Sequence, residues 1–243
     1  MVMKSNRTLV PHLLSILLAS GITFAQTNNV HLVEESILNY LKVVQDTDGQ
    51  TNLREGASLE AKIAGKVLSG GPVFADPEPE AGFHLVFLDK EDNQAARYIH
   101  GSRLLPVKGW KAFGPEGDSG RLRHEAFEAV VEDPDFVASE HKIATEASGM
   151  VRVDGKIPWG QDGGEPSRSL VLAVSIDGKK VELPAEATEN LYEPNLSTLV
   201  LLTPGDPAEH AILMMANSDG AGGYYVAWAF EKGIYRGRAM MMP

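Results

Sequence analysis

Residues able to do chemistry gather at four places in this chain. Gly117-Asp118-Ser119-Gly120 sets a serine beside an aspartate, the pairing a hydrolytic nucleophile uses. That chemistry also needs a histidine base, an orienting acid and an oxyanion hole brought together. No histidine-bearing signature accompanies the motif, which stands in a Gly- and Pro-rich stretch, so no catalytic residue is assigned. Asp46-Thr47-Asp48-Gly49 has the acidic spacing that opens a calcium loop. Such a loop carries a glutamate at its twelfth position. Counted from Asp46, that position is Ala57, and a plain turn is expected instead. Asp162-Gly163-Gly164-Glu165 and Asn217-Ser218-Asp219-Gly220 are oxygen-rich loops beside strands. Brought to one end of a sandwich, they could coordinate a hard cation such as calcium. The same residue types also build ordinary turns. Asp162 and Asp219 are carried forward as candidate binding residues, with no metal and no cofactor assigned.

The other chemical signals are thinner. The histidines are His12, His31, His84, His100, His124, His141 and His210, and no two share the His-x-x-x-His spacing of a zinc site. With 33 acidic residues, some carboxylate pair always looks suitable for glycoside hydrolysis, so none is singled out. The absence of cysteine excludes a disulfide framework, thiolate metal sites and a lipid-modified cysteine.

The first 25 residues have the form of an export signal. Lys4 and Arg7 make the positive start, and Thr23-Phe24-Ala25 offers small residues for a cut after Ala25; Gly21 is a second candidate. The uninterrupted apolar part, Leu13 to Phe24, falls short of the ~20 residues that span a bilayer. An uncleaved N-terminal anchor is the alternative. Removing the signal lowers the basic count from 22 to 20 against 33 acids, a net charge of −13. Such acidity argues against nucleic acid, whose phosphates need clustered Lys and Arg. It argues equally against adhesion to an anionic membrane surface. An exported protein, periplasmic or secreted, with no membrane span after signal removal, is expected.

The elements that must position these residues read as β throughout. Residues 26–39 are a polar linker, with a short helix leading into a strand near Tyr40–Val44. Short strands follow at Leu41–Val44, Thr51–Leu53, Ile63–Val67, Pro72–Ala75, Leu85–Leu88 and Ala95–Ile99, punctuated by Gly, Pro and Asp turns. So many short strands in residues 40–107 suggest a small barrel. Residues 108–121 form a second linker, rich in Gly and Pro. From residue 122 to the end, alternation at Phe127–Glu132, the run Leu170–Ile176 and the Asp177-Gly178 hairpin signal predict a β-sandwich-like domain. Strands at Leu199–Leu202, Ile212–Ala216, Tyr224–Phe230 and Ile234–Ala239 complete it. Only Pro184 to Leu191 has helical character.

Alternation places Tyr224, Val226, Trp228 and Phe230 on one strand face and Tyr225, Ala227 and Ala229 on the other. Trp228 is expected in the core. Trp159, in a Gly-rich loop beside Pro158, is the tryptophan best placed for exposure and a candidate binding anchor; folding back onto the core is the alternative.

Two stretches carry a resemblance. Asp46-Thr47-Asp48-Gly49-Gln50-Thr51-Asn52-Leu53-Arg54-Glu55-Gly56 and Tyr98-Ile99-His100-Gly101-Ser102-Arg103-Leu104 resemble the two ends of a bacterial SH3-like (SH3b) domain, covering residues 40–107. Ile63-Ala64-Gly65-Lys66-Val67 resembles that family's hydrophobic–x–Gly–x–hydrophobic strand. The resemblance implies an inward Leu53, an Arg54 close to the Gly56-Ala57-Ser58 loop, and a short helical turn at Gly101-Ser102-Arg103. It also implies a groove for cell-wall peptide or glycan, to which Phe83, Tyr98 and His100 would belong unless they are packed strand residues. The chain departs from the family in having Arg97 where a glycine is usual, Phe83 as the lone aromatic near the middle strand, and the acidic insert Asp76-Pro77-Glu78-Pro79-Glu80. Trp159 to Pro166, Leu191 to Asn195 and Asn217 to Gly222 have the look of further signatures, with no activity attached.

The expectation is therefore an all-β protein, an N-terminal SH3-like small barrel plus a C-terminal β-sandwich-like domain. It would be a non-catalytic binding or scaffold protein of the cell envelope, with peptidoglycan or an envelope protein as partner. The alternative is an envelope hydrolase with its site in residues 122–243.

Overall fold

The computed structural model describes residues 36–87, 96–161, 163–218, 220 and 222–243. The protein is all-β. Its first seven strands are β1 (Leu41–Val44), β2 (Gln50–Arg54), β3 (Ile63–Leu68), β4 (Pro72–Ala75), β5 (Phe83–Phe87), β6 (Arg97–His100) and β7 (Leu104–Pro106). They form one sheet in the order β3-β2-β6-β5-β4-β1-β7. Its pairings are antiparallel: β1 with β4 and β7, β2 with β3 and β6, and β5 with β4 and β6. The sheet is open, not a closed barrel, because its edge strands β3 and β7 do not meet.

Among the described residues eleven strands follow: β8 (Lys111–Phe113), β9 (Arg121–His124), β10 (Phe127–Glu132), β11 (Ile143–Thr145), β12 (Val151–Val153), β13 (Val171–Ile176), β14 (Lys179–Lys180), β15 (Val200–Thr203), β16 (His210–Asn217), β17 (Tyr224–Glu231) and β18 (Ile234–Met241). A four-stranded sheet runs β14-β13-β10-β9 and a five-stranded sheet runs β18-β17-β16-β15-β8, with β11-β12 as a separate hairpin. The turn into β14 uses Asp177 and Gly178, and the turn into β18 uses Lys232 and Gly233, all with positive φ. Two successive positive φ angles match the twist of a two-residue hairpin.

The five-stranded sheet is the centre of the molecule. One of its faces carries Leu201, Leu213, Met215, Val226, Trp228 and Phe230, which pack with Phe127, Ala129, Val131, Leu172 and Val174 of the four-stranded sheet. The opposite face carries Val200, Leu202, Ile212, Met214, Ala227 and Ala229, which pack with Ile37, Leu41, Val43 and Phe74 of the N-terminal part. The expected sandwich therefore has a third layer. This explains a feature of the sequence. Strands covered on both faces read as continuous apolar runs, while a half-buried strand alternates. β15 and β16 are apolar at nearly every position, whereas β10 alternates buried Phe127, Ala129 and Val131 with exposed Glu128 and Glu132.

The N-terminal sheet has its own smaller core on its other face, built from Val44, Leu53, Val73, Ala75, Val86 and Ile99. β4 is buried at all four positions because it is covered from both sides. The stretch read as a linker, residues 108–121, contributes β8, which pairs with β15. Ile37, at the end of the expected first linker, is docked in the shared core. The helical expectation for Pro184–Leu191 is corrected to one 3-10 turn, Ala185–Ala187. The Ala187 carbonyl accepts the Trp228 indole N–H at 2.6 Å, and Asn190 turns left-handed at φ 65°, so the segment is too short to propagate a helix. No helix among the described residues is long and apolar enough to cross a membrane.

Candidate functional site

The N-terminal sheet carries a cleft of about 340 Å³ lined by Asp46, Asp48, Gln50, Thr51, Asn52, Arg54, Leu59, Phe83, His100, Ser102 and Arg103. Register explains the assembly. Phe83 lies opposite His100, and Arg54 lies opposite Tyr98, so β2, β5 and β6 turn these residues to a common face. Ile99, between Tyr98 and His100, points the other way into the core.

Each wall is held in place. Phe83 is almost fully buried and meets the His100 ring edge-on at 4.9 Å. The His100 Nδ1 lies 2.7 Å from the Ser102 hydroxyl and accepts the Ser102 N–H at 3.2 Å, capping the 3-10 turn Gly101–Arg103. Asp46 Oδ1 accepts the Asp48 N–H at 3.0 Å and lies 3.5 Å from the Arg103 guanidinium. Asp46 therefore builds the turn expected at this position, closed further by the Gly49 N–H on the Asp46 carbonyl. The Arg54 guanidinium donates to the carbonyls of Leu59 and Ala61 at 2.6 and 2.7 Å, pinning the loop that carries the exposed Leu59. Gln50 and Asn52 also line the cleft.

Of the residues expected in a groove, Phe83 and His100 line this cleft. Tyr98 stands two pairs further along β6, half-buried opposite Leu85, outside the lining. Along the sequence, the acidic and amide residues of β2 and its preceding turn carry a turn and an SH3-like signature and are not marked as a wall. Their signal was the alternation of Gln50, Asn52 and Arg54, polar at every second position.

Trp159 is corrected from an exposed anchor to a core residue. It is 1% exposed, 5.6 Å from the Tyr224 ring. Its N–H donates to the Asn190 carbonyl, and its carbonyl accepts the Tyr192 N–H. The loop folds back because its backbone is bonded edge to edge to residues 190–192. Gly160 allows the approach with φ 95°; a side chain there would collide with the Tyr192 carbonyl.

Asp162 and Asp219 lie outside the described residues. The segments around them do converge, on Glu193. One Glu193 carboxylate oxygen accepts from the Gln161 amide at 2.9 Å, the Ser167 N–H at 2.6 Å and the Arg168 N–H at 3.2 Å. The Glu193 carbonyl accepts the Ser218 N–H, and Asn217 Oδ1 accepts the Asn195 N–H. The Tyr224 hydroxyl donates to the Tyr192 carbonyl at 3.0 Å, and burial pushes its pKa far up. Gln161, Ser167, Arg168, Glu193, Asn195, Asn217 and Ser218 thus form one hydrogen-bonded junction, with a Glu193 carboxylate oxygen satisfied by amide donors. Among the described residues no group of three His, Asp or Glu side chains is placed to hold a metal.

Ser119 behaves as a turn residue. Its hydroxyl donates to the Glu116 carbonyl at 2.8 Å and accepts the Arg121 N–H at 3.3 Å. No protein-family model, curated protein or solved structure matches the chain.

Proposed function

We propose that the protein is an exported binding or scaffold protein of the cell envelope, whose N-terminal SH3-like part receives cell-wall peptide or glycan, or an envelope protein, in the cleft of β2, β5 and β6. The observation that carries the reading is the cleft's chemistry: carboxylates, amides and two guanidinium groups around an aromatic pair, held by their own turns. Such a lining suits a ligand with hydrogen-bonding groups of both kinds, as a peptide or an amide-bearing sugar has. Ligand sites combine an apolar floor with a few fixed polar groups in this way. The positions of Leu53, Arg54 and the Gly101–Arg103 turn support the SH3-like reading, since the resemblance implies each of them.

The test is co-sedimentation of the mature full chain with purified peptidoglycan sacculi, beside a Gln50→Ala/Asn52→Ala variant. Both changes remove side chains from the cleft without touching the core. Pelleting of the parent with at least a severalfold loss in the variant is expected. Equal pelleting of both, or none of either, removes the cell-wall reading.

A further inference from the structure

β2 and β6 are neighbours in the sheet, yet among the described residues they pair at one position only, Arg54 opposite Tyr98. Continued along both strands, that register would set Asn52 against His100 and Gln50 against Ser102. Instead the chain leaves β6 at His100, whose Nδ1 accepts the Ser102 N–H and caps the 3-10 turn Gly101–Arg103. The capped turn holds a gap open beside β2, and the cleft lies in that gap. Gln50, Thr51 and Asn52 all line it. Side chains alternate along a strand, and Thr51 is buried between two more exposed neighbours. Three successive residues line one cleft where the strand presents its edge to it, not one face.

The pairing of β2 with β3 says which main-chain groups that edge carries. The Gly49 carbonyl accepts the Ser69 N–H. Hydrogen-bonded pairs recur at every second residue of an antiparallel ladder, so Thr51 opposite Val67 and Leu53 opposite Gly65 turn their N–H and C=O groups to β3. Those of Gln50 and Asn52 turn the other way, into the cleft. Main-chain polar groups at a binding surface need partners, and an extended peptide supplies them at the spacing of a strand. A sugar chain does not, and Phe83, 4% exposed, has no open ring face for a sugar to stack on. We propose that the cleft takes its ligand as a short extended peptide, added as a strand along β2 and bonded to the main chain of Gln50 and Asn52. The Arg54–Tyr98 pair closes the gap at one end, which keeps the added strand short. Main-chain bonds supply affinity in such additions and side-chain contacts supply selectivity; Asp48 and Leu59 line the same cleft. The proposal rests on the cleft being the ligand site. A cell-wall stem peptide and a segment of an envelope protein share this chemistry, and the test separates them.

Amidase digestion of sacculi yields soluble stem peptides and peptide-free glycan, two separate probes for the mature full chain. With the stem peptides, amide exchange at Gln50 and Asn52 should slow tenfold or more, while Thr51 and Leu53, already bonded to β3, stay unchanged. An unfolded polypeptide, β-casein, probes the protein source; the same slowing with casein alone assigns the cleft to protein segments. No slowing with either probe overturns the proposal. Asn52→Ala and Asn52→Pro both remove the side-chain amide, but only proline removes the N–H. That N–H faces away from β3, a placement at which a strand accepts proline, so the thermal transition should be retained. The active peptide should bind Asn52→Pro severalfold more weakly than Asn52→Ala. Equal binding overturns the main-chain mode, and should Asn52→Pro fail to fold, the exchange experiment decides. Peptide-free glycan that binds the chain as well as sacculi do, with loss in the Gln50→Ala/Asn52→Ala variant, overturns the peptide and leaves the cleft as the ligand site. Sacculi that bind that variant unchanged remove the cleft itself.

Discussion

His141 and Asp154 show how much a single exposed pair can organise. The Asp154 carboxylate accepts from the Lys142 N–H at 2.8 Å and meets the His141 Nδ1 at 2.8 Å, joining the two ends of the β11–β12 hairpin. His141 stacks on Phe136, which meets Tyr192 edge-on, so the pair also ties the hairpin to its small core of Val151, Val153 and Tyr192. Burial, aided by the nearby Asp154 and Glu189 charges, pushes the Tyr192 hydroxyl up to about 12, so it stays protonated throughout the useful pH range. The hydrogen bond from His141, then that from Lys142, holds the Asp154 carboxyl below its ordinary value of 3.8. A carboxyl depressed in the folded state contributes stability above its unfolded pKa and loses it as pH falls through the folded one. Hairpin protection should therefore persist down to pH values where free aspartate is already protonating. In an NMR titration, His141→Ala should move the Asp154 midpoint up toward the ordinary value; an unmoved midpoint would show that the histidine does not hold it.

Glycine and asparagine phrases were legible as loops, but their meeting at Glu193 was not. What brings residues 160, 193 and 217 together is the Trp159–Leu191 bridge and the pairing of β16 with β17. Gly160 is the tightest point. Gly160→Ala would force a side chain into left-handed backbone against the Tyr192 carbonyl, at a cost of about 1–3 kcal/mol for the backbone alone. The expected result is a thermal midpoint lowered by several degrees with the all-β circular dichroism retained. A midpoint unchanged from the parent would mean the loop shifts freely and the junction is not rigid. The single 3-10 turn at Ala185–Ala187 makes the same point for the local helical signal. Alanine and glutamate favour helix weakly, and the tertiary bond from Trp228 to the Ala187 carbonyl outweighed that preference.

Across the whole molecule, the shared face of the five-stranded sheet matters most. Leu202, Ile212 and Met214 are buried against Leu41, Val43 and Phe74, and each such side chain contributes roughly 1.5–3 kcal/mol by leaving water. The two halves should consequently unfold together. In denaturant, tryptophan fluorescence and circular dichroism are expected to report one coincident transition, and residues 26–110 and 120–243 made separately should aggregate or stay unfolded. Two resolved transitions, or two soluble folded pieces, would show the halves to be independent.

The linear chain carried the β class, the position of nearly every strand from β1 to β6, the Asp177-Gly178 turn and the two faces of β17, because alternation and turn chemistry are local. An inward Leu53 and an Arg54 bonded to the following loop are what the SH3-like resemblance implies, and local alternation did not supply them. The linear chain did not carry the third layer, the burial of Trp159 or the walls of the cleft. Each of those depends on which strands lie side by side. β8 joins β15 across some ninety residues, and β2 meets β6 across more than forty. The apolar runs of β15 and β16 are buried on both faces, yet a run of apolar residues does not say what covers it. That was decided when Leu41, Val43 and Phe74, on a strand pair far away in sequence, offered the complementary face.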